Sequence, residues 1–318
     1  MHYQYQVAGI AVGFRLPFRL TITEESQAFL RELGEPASGF QVHFLPVPAL
    51  DPPEPGGHWE VCQYHVETAS ERRVYHCPAP QAPPYACMIW QKIPGNQAQC
   101  QYLAGKEEYL AYSRNICDLI GLEALLHQNR GLLLHASFIR WQGSGILFSA
   151  PSGTGKSTQA NLWVQHQGAE VINGDRAALR QVGGRWQAFG LPYAGSSGVY
   201  RNESAPISAL VVLRQGKENR LRSLTRGRPS PAFFQRLPFT AGIRTLSKTP
   251  WTRSSPPWTP SLCTSWNAAL TGKRWNSSGN KFNRSSRLPP RRRGAASWTH
   301  RRKEPRSGNH PGGCATIL

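Results

Sequence analysis

The sequence has no hydrophobic run long enough to cross a membrane and no recognisable targeting segment. The apolar stretch from Val7 to Phe14 is much shorter than the roughly 20 residues that a spanning helix needs. No basic segment precedes it and no small-residue cleavage site follows it, so it does not resemble a secretory signal. These absences predict a cytoplasmic protein without a membrane partner.

Cysteine and histidine spacings typical of metal or redox sites are also missing. The seven cysteines form no C-x-x-C pair and have no close zinc-finger spacing to histidine. Their odd number and scatter indicate reduced thiols. The histidines before Gln128 lie at no metal-ligand spacing, and we therefore expect them in ordinary packing and surface positions.

Acidic residues are scarce, but the imbalance is confined to one part of the chain. There are 37 Lys and Arg against 18 Asp and Glu, a net charge of +19. Residues 241–318 contain 15 of the basic side chains and one acid, Glu304, whereas residues 1–240 carry 22 basic and 17 acidic side chains. The first 240 residues are only mildly basic, which argues against a nucleic-acid surface spread over the folded part.

Residues 241–318 contain no valine, yet they hold five of the ten tryptophans. No helical or alternating period is visible. Too little aliphatic surface is available to offset the entropy of ordering the backbone, so we expect a disordered tail. An arginine-rich nucleic-acid arm is one interpretation. We favour a frame shift in the gene, because basic arms seldom scatter tryptophans among prolines; translation one base over should then yield a segment rich in Leu, Val and Glu.

The chain is organised around the stretch Ala150-Pro151-Ser152-Gly153-Thr154-Gly155-Lys156-Ser157. It matches the phosphate-binding P-loop pattern, with alanine where the strict form has its first glycine. Gly145 to Ser149 is predicted as a buried strand and Thr158 to Gln167 as a helix. Strand, loop and helix in this order are the context that the motif requires.

A P-loop in this context predicts binding of ATP with Mg²⁺. Backbone N–H groups and the positive end of the helix dipole surround the phosphates. Lys156 would contact the β- and γ-phosphates, and the Ser157 hydroxyl would bind Mg²⁺. The predicted phosphate-binding residues are Ser152, Gly153, Thr154, Gly155, Lys156, Ser157 and Thr158.

The elements on both sides of the motif suggest three regions. Residues 1–109 are predicted to form a β-rich domain, residues 110–240 a P-loop domain and residues 241–318 the tail. The predicted strands of the first region are Tyr5 to Phe18, Phe40 to Leu45, Trp59 to Val66, Arg73 to Cys77 and Ala86 to Lys92. The predicted helices before the motif are Thr23 to Leu33 and Leu110 to His127.

Two further residues are candidates for chemistry. Asp175 follows the short predicted strand Ala169 to Asn173, where a P-loop protein needs a carboxylate to hold the magnesium shell or to accept a proton. The alternative is a turn aspartate before the predicted Ala178–Phe189 hairpin. His135 interrupts an apolar strand, and by itself a core position is the usual interpretation. The loop Pro192 to Gly198 either faces the phosphates or only connects strands.

His135-Ala136-Ser137, the P-loop and Asn173-Gly174-Asp175-Arg176, in this order and at these intervals, resemble the HPr serine kinase/phosphorylase family. That family belongs to the same superfamily as ATP-dependent phosphoenolpyruvate carboxykinase. The resemblance covers about Leu110 to Arg222. It implies an α/β P-loop fold of the HPr kinase/phosphoenolpyruvate carboxykinase-like type and a His135 near the reacting phosphate.

The chain departs from that family in two ways. The family's enzymes usually have two adjacent acids where this chain has Gly174-Asp175, so one carboxylate would serve as both base and metal partner. The glycine-rich downstream signature of the bifunctional members is missing, and we do not predict phosphorylase activity. Relatives also occur beside peptide-modifying genes, where the acceptor is a peptide hydroxyl.

The sequence thus predicts an ATP-dependent kinase that transfers the γ-phosphate to a protein or peptide hydroxyl, with Asp175, His135 and Lys156 as catalytic residues and Ser157 and Asp175 at the metal. One alternative is a nucleotide-binding protein without turnover. Another, disfavoured alternative is nucleic-acid binding through the tail. A homo-oligomer is left open.

Overall fold

The computed structural model describes residues 1–31, 39–91, 95–215, 221–223 and 264–266. Its first part is an eight-stranded sheet with the strand order β1-β2-β3-β8-β7-β6-β5-β4. The pairings β2–β3 and β3–β8 are parallel and the others antiparallel. Its strands are β1 (His2–Val7), β2 (Ile10–Arg15), β3 (Phe40–Val47), β4 (His58–Glu60), β5 (Gln63–Glu67), β6 (Glu71–His76), β7 (Ala86–Gln91) and β8 (Gln97–Leu103).

Most strands of this sheet follow the alternation in the sequence, but two predicted strands are hairpins. The predicted strand Tyr5 to Phe18 turns at Ala8-Gly9, where φ is +52° and +72°. Two positive φ angles in succession match the twist of the flanking strands in a two-residue hairpin. The predicted strand Trp59 to Val66 likewise divides into β4 and β5. Strand β8 is not among the strands that the sequence predicts.

Three short α-helices precede the second sheet in the chain: α1 (Glu24–Gln27) lies between β2 and β3, and α2 (Ser113–Leu119) and α3 (Leu122–Gln128) lie between the last strand of the first sheet and the second sheet. The predicted helix Thr23 to Leu33 is therefore only four residues long in the described part. The predicted helix Leu110 to His127 is interrupted at Gly121, where φ is +58°. A Cβ there would lie 2.8 Å from the Trp90 indole nitrogen, so a glycine permits the close approach of Trp90.

The second sheet has six strands in the order β10-β14-β13-β12-β9-β11, and β9 also pairs with β10. Because β9 pairs with both β10 and β12, five strands of this sheet form a closed ring. In this ring β9 pairs with β10, β10 with β14, β14 with β13, β13 with β12 and β12 with β9. The elements are β9 (Gly131–Trp141), β10 (Ser144–Ser149), α4 (Lys156–Gln167), β11 (Glu170–Asn173), β12 (Arg176–Val182), β13 (Arg185–Phe189) and β14 (Ser204–Val212).

The predicted α/β fold of the HPr kinase/phosphoenolpyruvate carboxykinase-like type is wrong: the described chain is mostly β-sheet, arranged in two sheets. Only β10 and β14 pair in parallel within the second sheet. Parallel strands need long crossover connections, usually helices. Here the chain instead turns back at Gly183-Gly184 into the β12–β13 hairpin, and α4 is the single α-helix of more than seven residues in the described part.

The predicted tail lies almost entirely outside the described residues. Its described piece, β16 (Thr264–Trp266), pairs antiparallel with β15 (Leu221–Ser223). The disorder and the frame shift that we expect for residues 241–318 therefore stay predictions. No helix within the described ranges is long and apolar enough to cross a membrane.

The two sheets share a hydrophobic core. The largest buried cluster joins strands of the first sheet and helices α2 and α3 to Leu133, Ala178, Leu191 and Tyr193 of the second part. At its rim the Arg180 guanidinium donates a 2.7 Å hydrogen bond to the Ala8 carbonyl oxygen of the β1–β2 turn. Burial of this apolar surface supplies the main stabilisation. The segment around the predicted site is thereby packed on the first sheet.

Candidate phosphate-binding site

The loop with the P-loop pattern connects the end of β10 to the start of α4, as the sequence predicts. Gly153 and Gly155 have φ angles of +76° and +108°, in a region that L side chains rarely adopt. The first helical hydrogen bond runs from the Gln159 N–H to the Gly155 carbonyl oxygen. The backbone N–H groups that precede it are free of helical acceptors, as in an anion-binding helix N-terminus.

The rest of the predicted phosphate-binding set surrounds this helix start. Ser152, Gly153, Ser157 and Thr158 are exposed, Thr154 and Gly155 are half-buried, and Lys156 is buried. The Thr154 N–H donates to the Pro151 carbonyl oxygen, which closes the turn of the loop. The loop is therefore open to solvent on the side where a phosphate would enter.

Lys156 is the buried cation of the site, with 8% of its surface exposed. Its Nζ donates to the Ala150 carbonyl oxygen at 3.0 Å and to the Pro151 carbonyl oxygen at 3.5 Å. Burial lowers the pKa of Lys156, and the negative charge of Asp175 opposes that effect. No carboxylate lies within 4.0 Å of this ammonium among the described residues. A buried charge with neutral partners favours an incoming anion.

Asp175 and His135 meet although forty residues separate them. Strands β9 and β12 are antiparallel neighbours, with His135 opposite Arg176. This register leaves His135 Nε2 3.4 Å from Asp175 Oδ1, with both side chains about one third exposed. The hydrogen bond from His135 lowers the pKa of Asp175, and the charges of Arg176 and Lys156 add to it. His135 is thus paired with the predicted acid and is not an enclosed core histidine.

Asn173 holds the turn that carries Asp175, a role that was not predicted from the sequence. Its Nδ2 donates to the carbonyl oxygens of Leu191 and Tyr193, and its Oδ1 accepts from the N–H groups of Asp175 and Arg176. The side chain is completely buried. An asparagine directly before a Gly-Asp turn is the signal that could have revealed it, because Asn side chains often bond the backbone two residues ahead.

The loop Pro192 to Gly198 packs directly on the acid turn. A Cβ on Gly195 would lie 2.5 Å from Asp175 Cβ and 2.7 Å from its Cγ. A Cβ on Gly174 would overlap the Ser197 side chain. The loop therefore faces the site, and in this backbone no second acid fits at position 174. This crowding gives a physical reason for the single carboxylate.

The described residues contain no group of three or more His, Cys, Asp and Glu side chains that could hold a metal ion. The predicted Mg²⁺ partners are the exposed Ser157 and the half-buried Asp175. Mg²⁺ commonly keeps several waters and takes only one or two protein ligands beside substrate phosphates. The donor set fits an ion that arrives with a nucleotide and does not fit a dedicated protein cage.

The comparison with known protein families places the candidate site inside one matched region. Residues 106–235 match the model of the family described as SynChlorMet cassette protein ScmC. The match covers less than half of the chain and ends before the basic tail, but it includes the P-loop, His135 and Asp175. No curated protein matches the chain.

Proposed function

We propose that this protein binds ATP with Mg²⁺ and transfers the γ-phosphate to a hydroxyl group of a protein or peptide, as the motif resemblance to HPr kinases implies. The observation that carries the proposal is the buried Lys156 ammonium. Within the described residues its close partners are two backbone carbonyl oxygens, and it lies at a glycine loop with positive φ angles. A cation so placed is stabilised by phosphate oxygens.

Phosphoryl transfer depends mainly on positioning and charge neutralisation. Lys156 and the N–H groups of the loop would bind the β- and γ-phosphates. Ser157 and Asp175 would hold Mg²⁺, which supplies neutralisation of the charge that develops on the phosphate oxygens. Asp175 would also accept the proton of the acceptor hydroxyl. His135, at 3.4 Å, would hold that carboxylate in place.

The first test measures ATP affinity after Lys156→Ala by calorimetry. Hydrogen bonds to charged groups contribute about 1.5–3 kcal/mol, so we expect binding to weaken about ten- to a hundredfold. Lys106→Ala removes an exposed lysine that lies over the Tyr109 ring and is the matched control. Unchanged affinity of the Lys156 variant would refute ATP binding at this loop.

The second test measures transfer with γ-labelled ATP, Mg²⁺ and a lysate of the source organism. Asp175→Asn should remove most labelling of the acceptor while ATP still binds, because the amide cannot take up the proton. Asp51→Asn, at a carboxylate that is 75% exposed, should label normally. Labelling that persists fully in the Asp175 variant would exclude the proposed role of this carboxylate.

A nucleotide-binding protein without turnover is the second candidate. The crowding of Gly174 by Ser197 favours it, because no second acid fits beside Asp175. It predicts saturable ATP binding and no transfer to any protein or peptide in the labelling experiment. Nucleic-acid binding, by contrast, would depend on the tail. A filter-binding assay at two salt concentrations distinguishes it from the kinase and from the nucleotide-binding protein without turnover.

We also propose a cytoplasmic location. The five described cysteines, Cys62, Cys77, Cys87, Cys100 and Cys117, are all free thiols. Free thiols are typical of a reducing compartment.

A further inference from the structure

Arg176 directly follows the proposed catalytic carboxylate and contacts it, and we propose that Arg176 is a positioning residue that fixes the orientation of Asp175 for phosphoryl transfer. This inference rests on the proposed function, since the orientation of Asp175 matters for catalysis only if this carboxylate serves the transfer. It goes further by giving a role to a side chain that the proposed mechanism does not use.

The two oxygens of the Asp175 carboxylate have different partners. Arg176 Nε lies 3.4 Å from Oδ2, and His135 Nε2 lies 3.4 Å from Oδ1. His135 and Arg176 are opposite each other in the antiparallel pair of β9 and β12, so the pairing of these strands brings both cationic groups to the same carboxylate. A carboxylate held through both oxygens cannot turn about its Cβ–Cγ bond without losing one of the two contacts.

The backbone of the acid turn explains why two consecutive side chains can meet. Neighbouring residues of a regular strand point to opposite faces of the sheet. Here β12 begins only at Arg176, and Asp175 still belongs to the turn that Asn173 holds. The Asn173 Oδ1 accepts hydrogen bonds of 3.0 Å from the N–H groups of both residues. The contact between Arg176 and Asp175 is thus a consequence of this turn.

The Arg176 guanidinium is itself held in place by an aromatic ring. Its central carbon lies 5.3 Å from the centroid of the Tyr193 ring, within the range of a cation–π contact. Tyr193 is buried, and its hydroxyl donates a 2.9 Å hydrogen bond to the Cys117 carbonyl oxygen of α2. The guanidinium is therefore restricted at Nε by Asp175 and on its face by a ring that is fixed in the core.

The orientation of this carboxylate matters because it has to serve two purposes. An ionised carboxylate has about four lone-pair sites, of which His135 and Arg176 use two. About two sites remain, one for the acceptor hydroxyl and one for the ion that arrives with the nucleotide. No second acid fits at position 174, so the remaining sites of Asp175 must point in the right directions.

The alternative is an ordinary surface ion pair without a catalytic role. The Arg176 side chain is 38% exposed, and exposed ion pairs contribute little to stability. An ion pair of that kind predicts a variant that folds and transfers phosphate like the wild type. The experiment therefore has to separate transfer from folding and from ATP binding.

The experiment compares the full-length wild type with Arg176→Gln in the labelling assay with γ-labelled ATP, Mg²⁺ and lysate. The labelling rate at saturating ATP should fall about ten- to a hundredfold, as expected for a misplaced catalytic group. The ATP dissociation constant from calorimetry should not change, because Lys156 and the loop keep their contacts, and neither should the urea midpoint. Arg185→Gln, at an exposed arginine of the β12–β13 turn, is the matched control and should label normally.

Two further variants test for a positioning role by rescue. Arg176→Lys should label faster than Arg176→Gln but more slowly than the wild type, because lysine keeps the charge and loses the planar group. Millimolar guanidinium chloride should restore part of the labelling rate of Arg176→Ala. It should not restore labelling by Asp175→Asn, which lacks the carboxylate that the guanidinium would hold.

The failures of the two proposals are distinguishable. A wild type that binds ATP and labels its acceptor, together with an Arg176→Gln variant that labels at the same rate, overturns the positioning role alone. A slower variant with a lower urea midpoint, and no rescue by lysine or guanidinium, shows a structural role and also overturns it. Absence of labelling by the wild type overturns the proposed function and this inference together.

Discussion

Replacement of Asn173 by alanine tests the architecture of the candidate site most directly. The side chain is completely buried and makes four hydrogen bonds, of 2.9, 2.9, 3.0 and 3.0 Å, to backbone groups. Alanine would leave two carbonyl oxygens and two N–H groups without these partners. At about 0.5–1.5 kcal/mol for each bond, the expected loss is about 2–6 kcal/mol in the free energy of unfolding.

This loss is a large share of the total free energy of unfolding, because folded domains are stabilised by only about 5–15 kcal/mol. The assay is urea unfolding of the full-length chain, followed by tryptophan fluorescence. With a slope of about 1–3 kcal/mol per molar urea, the midpoint should fall by about 0.7 M or more. The proposed phosphoryl transfer should fall more than the proposed ATP affinity does, because the backbone of Asp175 loses its support while the P-loop keeps its own contacts.

Asn202→Ala is the matched control. Asn202 is exposed, and its single described hydrogen bond is a 3.3 Å contact with the Ala28 carbonyl oxygen. The unfolding free energy of the Asn202→Ala variant should stay within about 0.5 kcal/mol of the wild-type value. A loss below about 1 kcal/mol for Asn173→Ala would refute the view that this side chain fixes the acid turn.

Two further predictions concern stability. Burial lowers the pKa of His65 to about 4 and that of His76 to about 3, whereas in the unfolded chain histidine titrates near about 6.5. The stability that these neutral histidines contribute is therefore complete above about pH 6.5 and declines toward about pH 4. His76→Leu should reduce the change of the urea midpoint with pH over that range, whereas His2→Gln, at an exposed histidine, should not. A wild-type midpoint independent of pH would contradict this prediction. Gly174→Ala should destabilise the chain by about 1–3 kcal/mol, because the added Cβ overlaps the Ser197 side chain. Adding Ser197→Gly to this variant should relieve most of that loss. Calorimetric melting of the two single variants and the double variant checks this compensation.

Several features were predictable from the sequence because they depend on neighbours in the chain. The strand, loop and helix around Lys156 occupy one continuous stretch, and the order β10, loop, α4 follows the prediction. The hairpin at Gly183-Gly184 is another local feature, since two glycines supply the positive φ angles, +56° and +76°, that a two-residue turn needs. Elements of this kind are set by short-range periodicity and turn chemistry.

The sheet topology was not predictable in the same way, and this is why the α/β prediction is wrong. A P-loop sequence specifies its own strand and helix, but it does not determine how the following strands pair. The chain after α4 returns in antiparallel strands, so that β10 has only β14 as a parallel neighbour. Strand pairing depends on contacts between residues that are distant in sequence.

The same distinction between local and long-range contacts applies to the candidate site. The sequence alone determined the loop with the P-loop pattern and the residue types on which the proposed phosphoryl transfer rests. Only the tertiary structure brought His135 within 3.4 Å of Asp175 and packed the loop Pro192 to Gly198 on the acid turn. The physical reason is that these contacts arise from the register of β9 against β12 and from the shared hydrophobic core, and both are set by burial over the whole chain and not by any local pattern.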